Sequence, residues 1–167
     1  MKYILETERL TLREFVPEDF DALKKALHDG KESDEYISRW LNWCIDSYKK
    51  YGFGLWAVIY KATGEVIGSC GVSMQPIDGE WRPEIGYHIR NDYHRIGLGK
   101  EVSRGIKNYF FNNFQYDEVY SYMDVNNVAS YKTAEANGMT YIKNFIDKTG
   151  NECRIYRITR KEWEEGK

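Results

Sequence analysis

Apolar residues recur along this chain with two periods, near two and near 3.6, and the switches between them mark its elements. Leu10 and Leu12 alternate with Arg9, Thr11 and Arg13, so residues 4–15 read as a first strand. Val16-Pro17-Glu18-Asp19 then opens a helix, because Pro fits a first turn and acids suit its positive end. Phe20, Leu23 and Leu27 form its buried stripe and Gly30 ends it. Residues 31–51 place Ile37, Trp40, Leu41, Trp43, Ile45 and Tyr48 on a crowded apolar face and predict one or two helices. Leu55, Ala57 and Ile59 alternate with Trp56, Val58 and Tyr60, a strand over 53–60. A glycine-bearing turn at 61–65 leads to a return strand over 66–74, and a second turn at 76–79 to a strand over 81–90. Connections this short imply an antiparallel meander. Val102, Ile106 and Phe110 then recur every fourth residue, which predicts a helix to about residue 112. The strand at 118–123 follows this crossover helix and is expected to pair in parallel with the strand before it. Asn127 caps a further helix, ended by Gly138. Strands at 139–147 and 152–159 flank a turn at 148–151, and residues 161–165 form a short helix or tail. The expected fold class is therefore α/β, with about seven strands in a mixed, mostly antiparallel sheet.

Length and charge narrow the function classes. A chain of 167 residues suits one domain, expected over residues 1–167, that buries roughly 70% of its unfolded surface. A formal net charge of -2 argues against a nucleic-acid partner held by bulk positive charge. No apolar run is long enough to span a membrane, and the first nine residues are too charged for a signal-peptide core. Cys44, Cys70 and Cys153 are odd in number and far apart, which suits a reduced, cytoplasmic protein. They do not combine with the three histidines at ligand spacing, so no metal is expected.

Candidate chemistry concentrates between Glu84 and Lys107. Asn91-Asp92 breaks the strand, and Gly97 and Gly99 sit where the loop winds into the helix. The first N–H groups of a helix lack internal partners and carry partial positive charge. Two glycines let backbone approach an anion such as a pyrophosphate. Lys100, Arg104 and Lys107 add positive side chains along that helix. A glycine turn with no ligand satisfies the same pattern. The dinucleotide fingerprint fails at Val102, and the P-loop fails at Glu101.

The run His94-Arg95-Ile96-Gly97-Leu98-Gly99 resembles the Gln/Arg-x-x-Gly-x-Gly/Ala loop of the GNAT superfamily of acyl-CoA N-acyltransferases, with His94 at the first position. The opening Glu6-Thr-Glu-Arg-Leu-Thr-Leu-Arg13 and the pair Asn127-x-x-Ser130 and Gly138-Met139 resemble the Rim-type ribosomal-protein N-acetyltransferase branch. The resemblance covers residues 5 to about 160. It implies the GNAT fold, with a parallel strand pair splayed at the coenzyme A site, and acetyl-CoA as cosubstrate. It implies that the pyrophosphate lies on the backbone of Arg95, Ile96, Gly97, Leu98, Gly99 and Lys100. The strand around Tyr87, His88 and Ile89, with Asn127 and Ser130, then meets the pantetheine arm.

Acyl transfer to an amine needs a neutral amine, a polarised carbonyl and a protonated leaving thiolate. An α-amine of pKa about 8 is partly neutral near pH 7, whereas a lysine at about 10.4 is not. Glu84 is the candidate base, placed as in histone-acetylating GNAT enzymes; a solvated strand-start glutamate is its bland alternative. It shares strand parity with Gly86 and His88, and His88 is the second candidate. Many GNAT enzymes carry a tyrosine acid seven residues after the asparagine, and here Ala134 stands there. Ser130 is then the nearest hydroxyl and Tyr131 the next. Trp40 and Trp43 read as core, or, with Asp34 and Glu35, as a pocket for a cationic amine. The expected partner is a primary amine, either a protein N-terminus or a small molecule, on a monomer or homodimer. The other reading is a non-catalytic module that binds coenzyme A.

Overall fold

A computed structural model describes residues 2–166. Its strands are β1 (Tyr3–Glu6), β2 (Leu10–Arg13), β3 (Leu55–Tyr60), β4 (Val66–Ile77), β5 (Glu80–Ile89), β6 (Glu118–Asp124), β7 (Thr140–Ile146) and β8 (Glu152–Thr159). They form one sheet in the order β1-β2-β3-β4-β5-β6-β8-β7. Its helices are α1 (Phe20–Ala26), α2 (Asp34–Tyr51), α3 (Leu98–Asn113), α4 (Val128–Ala136) and α5 (Arg160–Glu165). The sheet is antiparallel except between β5 and β6, which run parallel.

The strand count differs from the seven expected because residues 4–15 make two strands. The Thr7 N–H donates to the Leu10 carbonyl at 2.9 Å, and the Leu10 N–H to the Thr7 hydroxyl at 3.2 Å. That turn folds the run back on itself as an antiparallel pair. The helix expected over 17–30 is also shorter. Pro17–Asp19 is a 3-10 turn, and α1 stops where His28 and Asp29 take positive φ. Residues 31–51 resolve into one helix, capped by the Ser33 hydroxyl and ended by Gly52 at φ 80°. β4 runs past Met74, and the tight turn falls on Asp78 and Gly79, both at positive φ as a hairpin of this kind requires.

Each sheet face is covered by helices. Leu23 of α1 and Ile37, Leu41 and Cys44 of α2 pack against Ala57 and Val66. Val102, Ile106 and Phe110 of α3 pack against Trp56, Val58, Val72 and Ile85 on the other face. Between β2 and α1, Arg13 and Asp19 form a buried two-pronged pair at 2.7 and 2.9 Å.

The feature that positions the site is the parting of β5 from β6. Their ladder has one register pair, Glu84 with Tyr120. At the closed end, Arg82 donates to Glu118 at 3.0 Å and to the Tyr120 hydroxyl at 2.8 Å, and its guanidinium lies 4.8 Å above the Tyr120 ring. Beyond Glu84 the strands diverge, and the β6-facing edge of β5 loses its ladder partner. No helix of the described residues is long and apolar enough to cross a membrane.

Candidate active site

Glu84 stands where the two strands part. Its Oε2 accepts the Tyr122 N–H at 3.2 Å, and the neighbouring Ser121 hydroxyl donates to the Ile85 carbonyl at 3.1 Å. The residue is 8% exposed. Burial pushes its pKa up to about 8, against the pull of the Tyr122 N–H and the Lys148 ammonium. Glu84 therefore changes charge near neutral pH, unlike a solvated strand-start glutamate.

Strand parity puts Glu84, Gly86 and His88 on one wall of a cavity of about 660 Å³. Trp40, Trp43 and Tyr36 of α2 face it from one side, and Trp81 of the β4–β5 hairpin from another. Trp43 is 39% exposed, so the reading of these tryptophans as plain core is corrected: they line a cleft. Asp34 is not part of the lining; it pairs with Lys24 at the surface. Glu35 is likewise exposed and outside the cleft. The His88 Nε2 meets the Ala26 carbonyl at 3.1 Å. Burial pushes the His88 pKa down, helped by the His28 ring 5.6 Å away. His88 is thus tethered by one nitrogen.

The glycine loop lies across the sheet from this cavity. Arg95 and Gly97 both take the left-handed conformation, at φ 65° and 86°. Leu98 is buried and anchors the first turn of α3, whereas Ile96 and Lys100 are exposed. A Cβ on Gly99 would stand 3.0 Å from the Tyr87 ring, so glycine permits the close crossing of helix and strand. His94 is exposed, and its Nε2 meets the Ile89 carbonyl. That contact gives the departure at this position a structural use.

The sequence reading missed the residues that hold this loop. Arg9 donates from Nη1 to the Ile96 carbonyl at 2.8 Å, and from Nε to Glu101 Oε1 at 2.8 Å. The Thr7 hydroxyl and the Arg9 N–H both donate to Glu101 Oε2, at 2.6 and 2.8 Å. Burial alone would raise the Glu101 pKa; these hydrogen bonds outweigh it and hold it below the usual range. The signal was present in the Glu-Thr-Glu-Arg run, but its partner lies 92 residues away.

α4 closes the open side of the splay. Asn127 caps it by accepting the Ser130 N–H at 3.2 Å. The Tyr87 phenol stands close to the Ser130 and Thr133 side chains, which offset part of the rise that burial imposes on its pKa. Sequence reasoning gave Tyr87 a backbone role only; its side chain is also near the half-buried Ser130. The helix ends at Gly138, φ 82°, and the Asn137 side-chain amide donates to the Ser103 carbonyl at 3.1 Å, tying α4 to α3.

All three cysteines are buried and free, and burial raises the Cys70 and Cys44 thiol pKa values. Neither is a ready nucleophile. Among the described residues, no three His, Cys, Asp or Glu side chains converge as metal ligands.

This arrangement has a family. A family model described as an acetyltransferase (GNAT) domain matches residues 9–140. The chain belongs to the GNAT acetyltransferases. It is 33% identical over 129 residues to the uncharacterized protein YkkB of Bacillus subtilis (strain 168), covering 77% of this chain and 74% of that one. It is 31% identical over 139 residues to the uncharacterized N-acetyltransferase p20 of Bacillus licheniformis, covering 77% of each. In fold it is similar to RimL, a ribosomal L7/L12 alpha-N-protein acetyltransferase solved with coenzyme A. There the TM-score is 0.76 and the identity 16%, over 95% of this chain and 98% of that one. As a GNAT acetyltransferase, the chain carries the mixed sheet with a parallel pair on which this family moves an acetyl group from acetyl-CoA to an amine.

Proposed function

We propose that residues 1–167 form one acetyl-CoA-dependent N-acetyltransferase domain of the Rim type, which acetylates a primary amine by direct attack. The observation that carries this reading is the buried Glu84 carboxyl at the parting of β5 and β6, on the floor of the aromatic cleft. The cleft takes the amine, and the glycine loop across the sheet takes the cosubstrate.

The residues present fit acetyl-CoA. The loop from Ile96 to Lys100 winds through left-handed Arg95 and Gly97 into the positive end of α3, where the first N–H groups of a helix lack internal partners and suit an anion. Gly99 lets the first turn of α3 sit close on Tyr87 of β5, where a Cβ would crowd the ring. The edge of β5 around Tyr87, short of the Ile89 carbonyl that His94 holds, offers backbone partners to the amides of a pantetheine arm, as an added strand would use them. Asn127 and Ser130 flank that edge from α4. Acetyl-CoA supplies the activated thioester.

The chain's own residues supply positioning and proton transfer. Glu84 accepts the proton of the bound amine, and Ser130, backed by Tyr87, gives one to the departing thiolate. His88 packs the wall, tethered through Nε2 to the Ala26 carbonyl. Arg9 acts through the loop. Arg9→Ala is expected to weaken acetyl-CoA binding about tenfold, the loss of one or two charge-assisted hydrogen bonds. Calorimetry on the folded variant checks this, and unchanged affinity would remove Arg9 from the account.

Calorimetric titration with acetyl-CoA, followed by thiol release over a panel of amines, tests the whole reading. Saturable binding with amine-dependent thiol release is expected. No binding would overturn the cofactor site, and binding without release would overturn the catalytic role.

A further inference from the structure

The acceptor cleft carries more information than its position. We propose that its substrate is a primary monoamine with a planar aromatic body, an arylalkylamine; this rests on the function proposed above. The amine end lies at Glu84 and the ring lies between the α2 tryptophans and Trp81.

The depth profile gives the orientation. Glu84 is on the floor, 8% exposed, whereas Trp81 at the mouth is 69% exposed. Trp40 is braced edge-on by Phe15 at 5.8 Å and tilts against Trp43 at 6.2 Å. That gives a fixed aromatic wall on α2 opposite an uncovered indole on the hairpin. Gly86 keeps the floor open: a Cβ there would stand 3.4 Å from Glu84 Oε1.

The charged inventory favours a monoamine. Glu84 is the one carboxyl lining the cleft among the described residues, and Lys148 is the one fixed cation. A polyamine or aminoglycoside brings several ammonium groups and finds one partner. A peptide N-terminus brings amides that need free donors and acceptors. Several of the cleft's polar groups are already engaged. Gln75 donates to the Ser73 hydroxyl at 3.0 Å and accepts from Lys148 at 3.0 Å, and the His88 Nε2 is held by Ala26. One carboxyl below and three indoles above match one ammonium joined to one ring.

Thiol-release kinetics with acetyl-CoA compare 2-phenylethylamine and tryptamine with n-hexylamine, spermidine and an alanine-first pentapeptide. The arylalkylamines are expected to exceed n-hexylamine in kcat/KM by about tenfold, from ring stacking. They should exceed spermidine and the peptide by about a hundredfold, since those leave charges or amides unpaired. Trp81→Ala should raise KM for 2-phenylethylamine about tenfold with kcat little changed, and Trp81→Phe should recover most of it. Faster turnover of spermidine or the peptide overturns the proposal, and equal turnover of n-hexylamine overturns its aromatic part. Calorimetry of 2-phenylethylamine into coenzyme A-saturated protein separates the two levels. Amine binding without turnover upholds the cleft's specificity and overturns catalysis, whereas turnover of other amines with no binding of this one overturns the inference alone.

Discussion

Replacing Glu84 with glutamine is expected to lower kcat about a hundredfold or more, the usual worth of a positioned general base. Acetyl-CoA affinity should stay unchanged, because Glu84 lies on the opposite side of the strand parting from the glycine loop. Glutamine keeps the shape and the acceptor for the Tyr122 N–H but takes no proton. The pH dependence follows from the same burial. The base works only when ionised, and its pKa is pushed up to about 8. kcat/KM should therefore climb with pH through the neutral range and level off above about 8. The variant's residual rate should lack this step.

Stability moves the other way. The unfolded carboxyl ionises near its ordinary value of 4.5, while the folded one holds its proton to about 8. Between those values the native state binds more protons than the unfolded state. Wild-type stability then falls as pH rises across this window, and Glu84→Gln removes that loss. Melting curves at pH 5 and pH 9 should show the variant gaining on the wild type at the higher pH. A pH-independent difference, together with an unchanged kcat, would return Glu84 to a structural role.

Gly97→Asp is expected to weaken acetyl-CoA binding at least about a hundredfold, with the fold retained. Two effects add. A residue with a Cβ strains at φ 86°, by roughly 1–2 kcal/mol. The carboxylate also places a negative charge in the loop whose N–H groups face an anion, and it competes for Arg9, whose Nη2 stands 3.4 Å from a Cβ built at this position. Gly97→Ala separates the terms, since it carries the strain without the charge and should lose only about tenfold. Calorimetry with acetyl-CoA reads both variants, and circular dichroism confirms the fold. Wild-type affinity in Gly97→Asp would sink the assignment of the loop.

Much of this was legible in one dimension because it is local. Two-residue alternation set β3 to β6, spacing by four set α3, and Asn127 with Gly138 marked both ends of α4. The motif around Gly97 and Gly99 pointed to the family that the comparison confirms. Strand parity alone placed Glu84, Gly86 and His88 on one wall, where they are found. The errors lay where one local pattern admits two outcomes. A run such as residues 4–15 reads as one strand or as a hairpin, and the Thr7 turn decides.

What the sequence by itself determined is the set of elements, their order, the family and the short list of polar residues. Only the tertiary structure decided which of those residues meet and how exposed each one is. The Glu84 carboxyl owes its raised pKa to burial where β5 and β6 part. Arg9 reaches Glu101 across 92 residues of chain. Trp81 and Trp40 come to line one cleft because α2 packs beside the sheet that carries the β4–β5 hairpin. Pattern along a chain records neighbours within a few residues, whereas desolvation and long-range hydrogen bonds arise when distant segments close on one another.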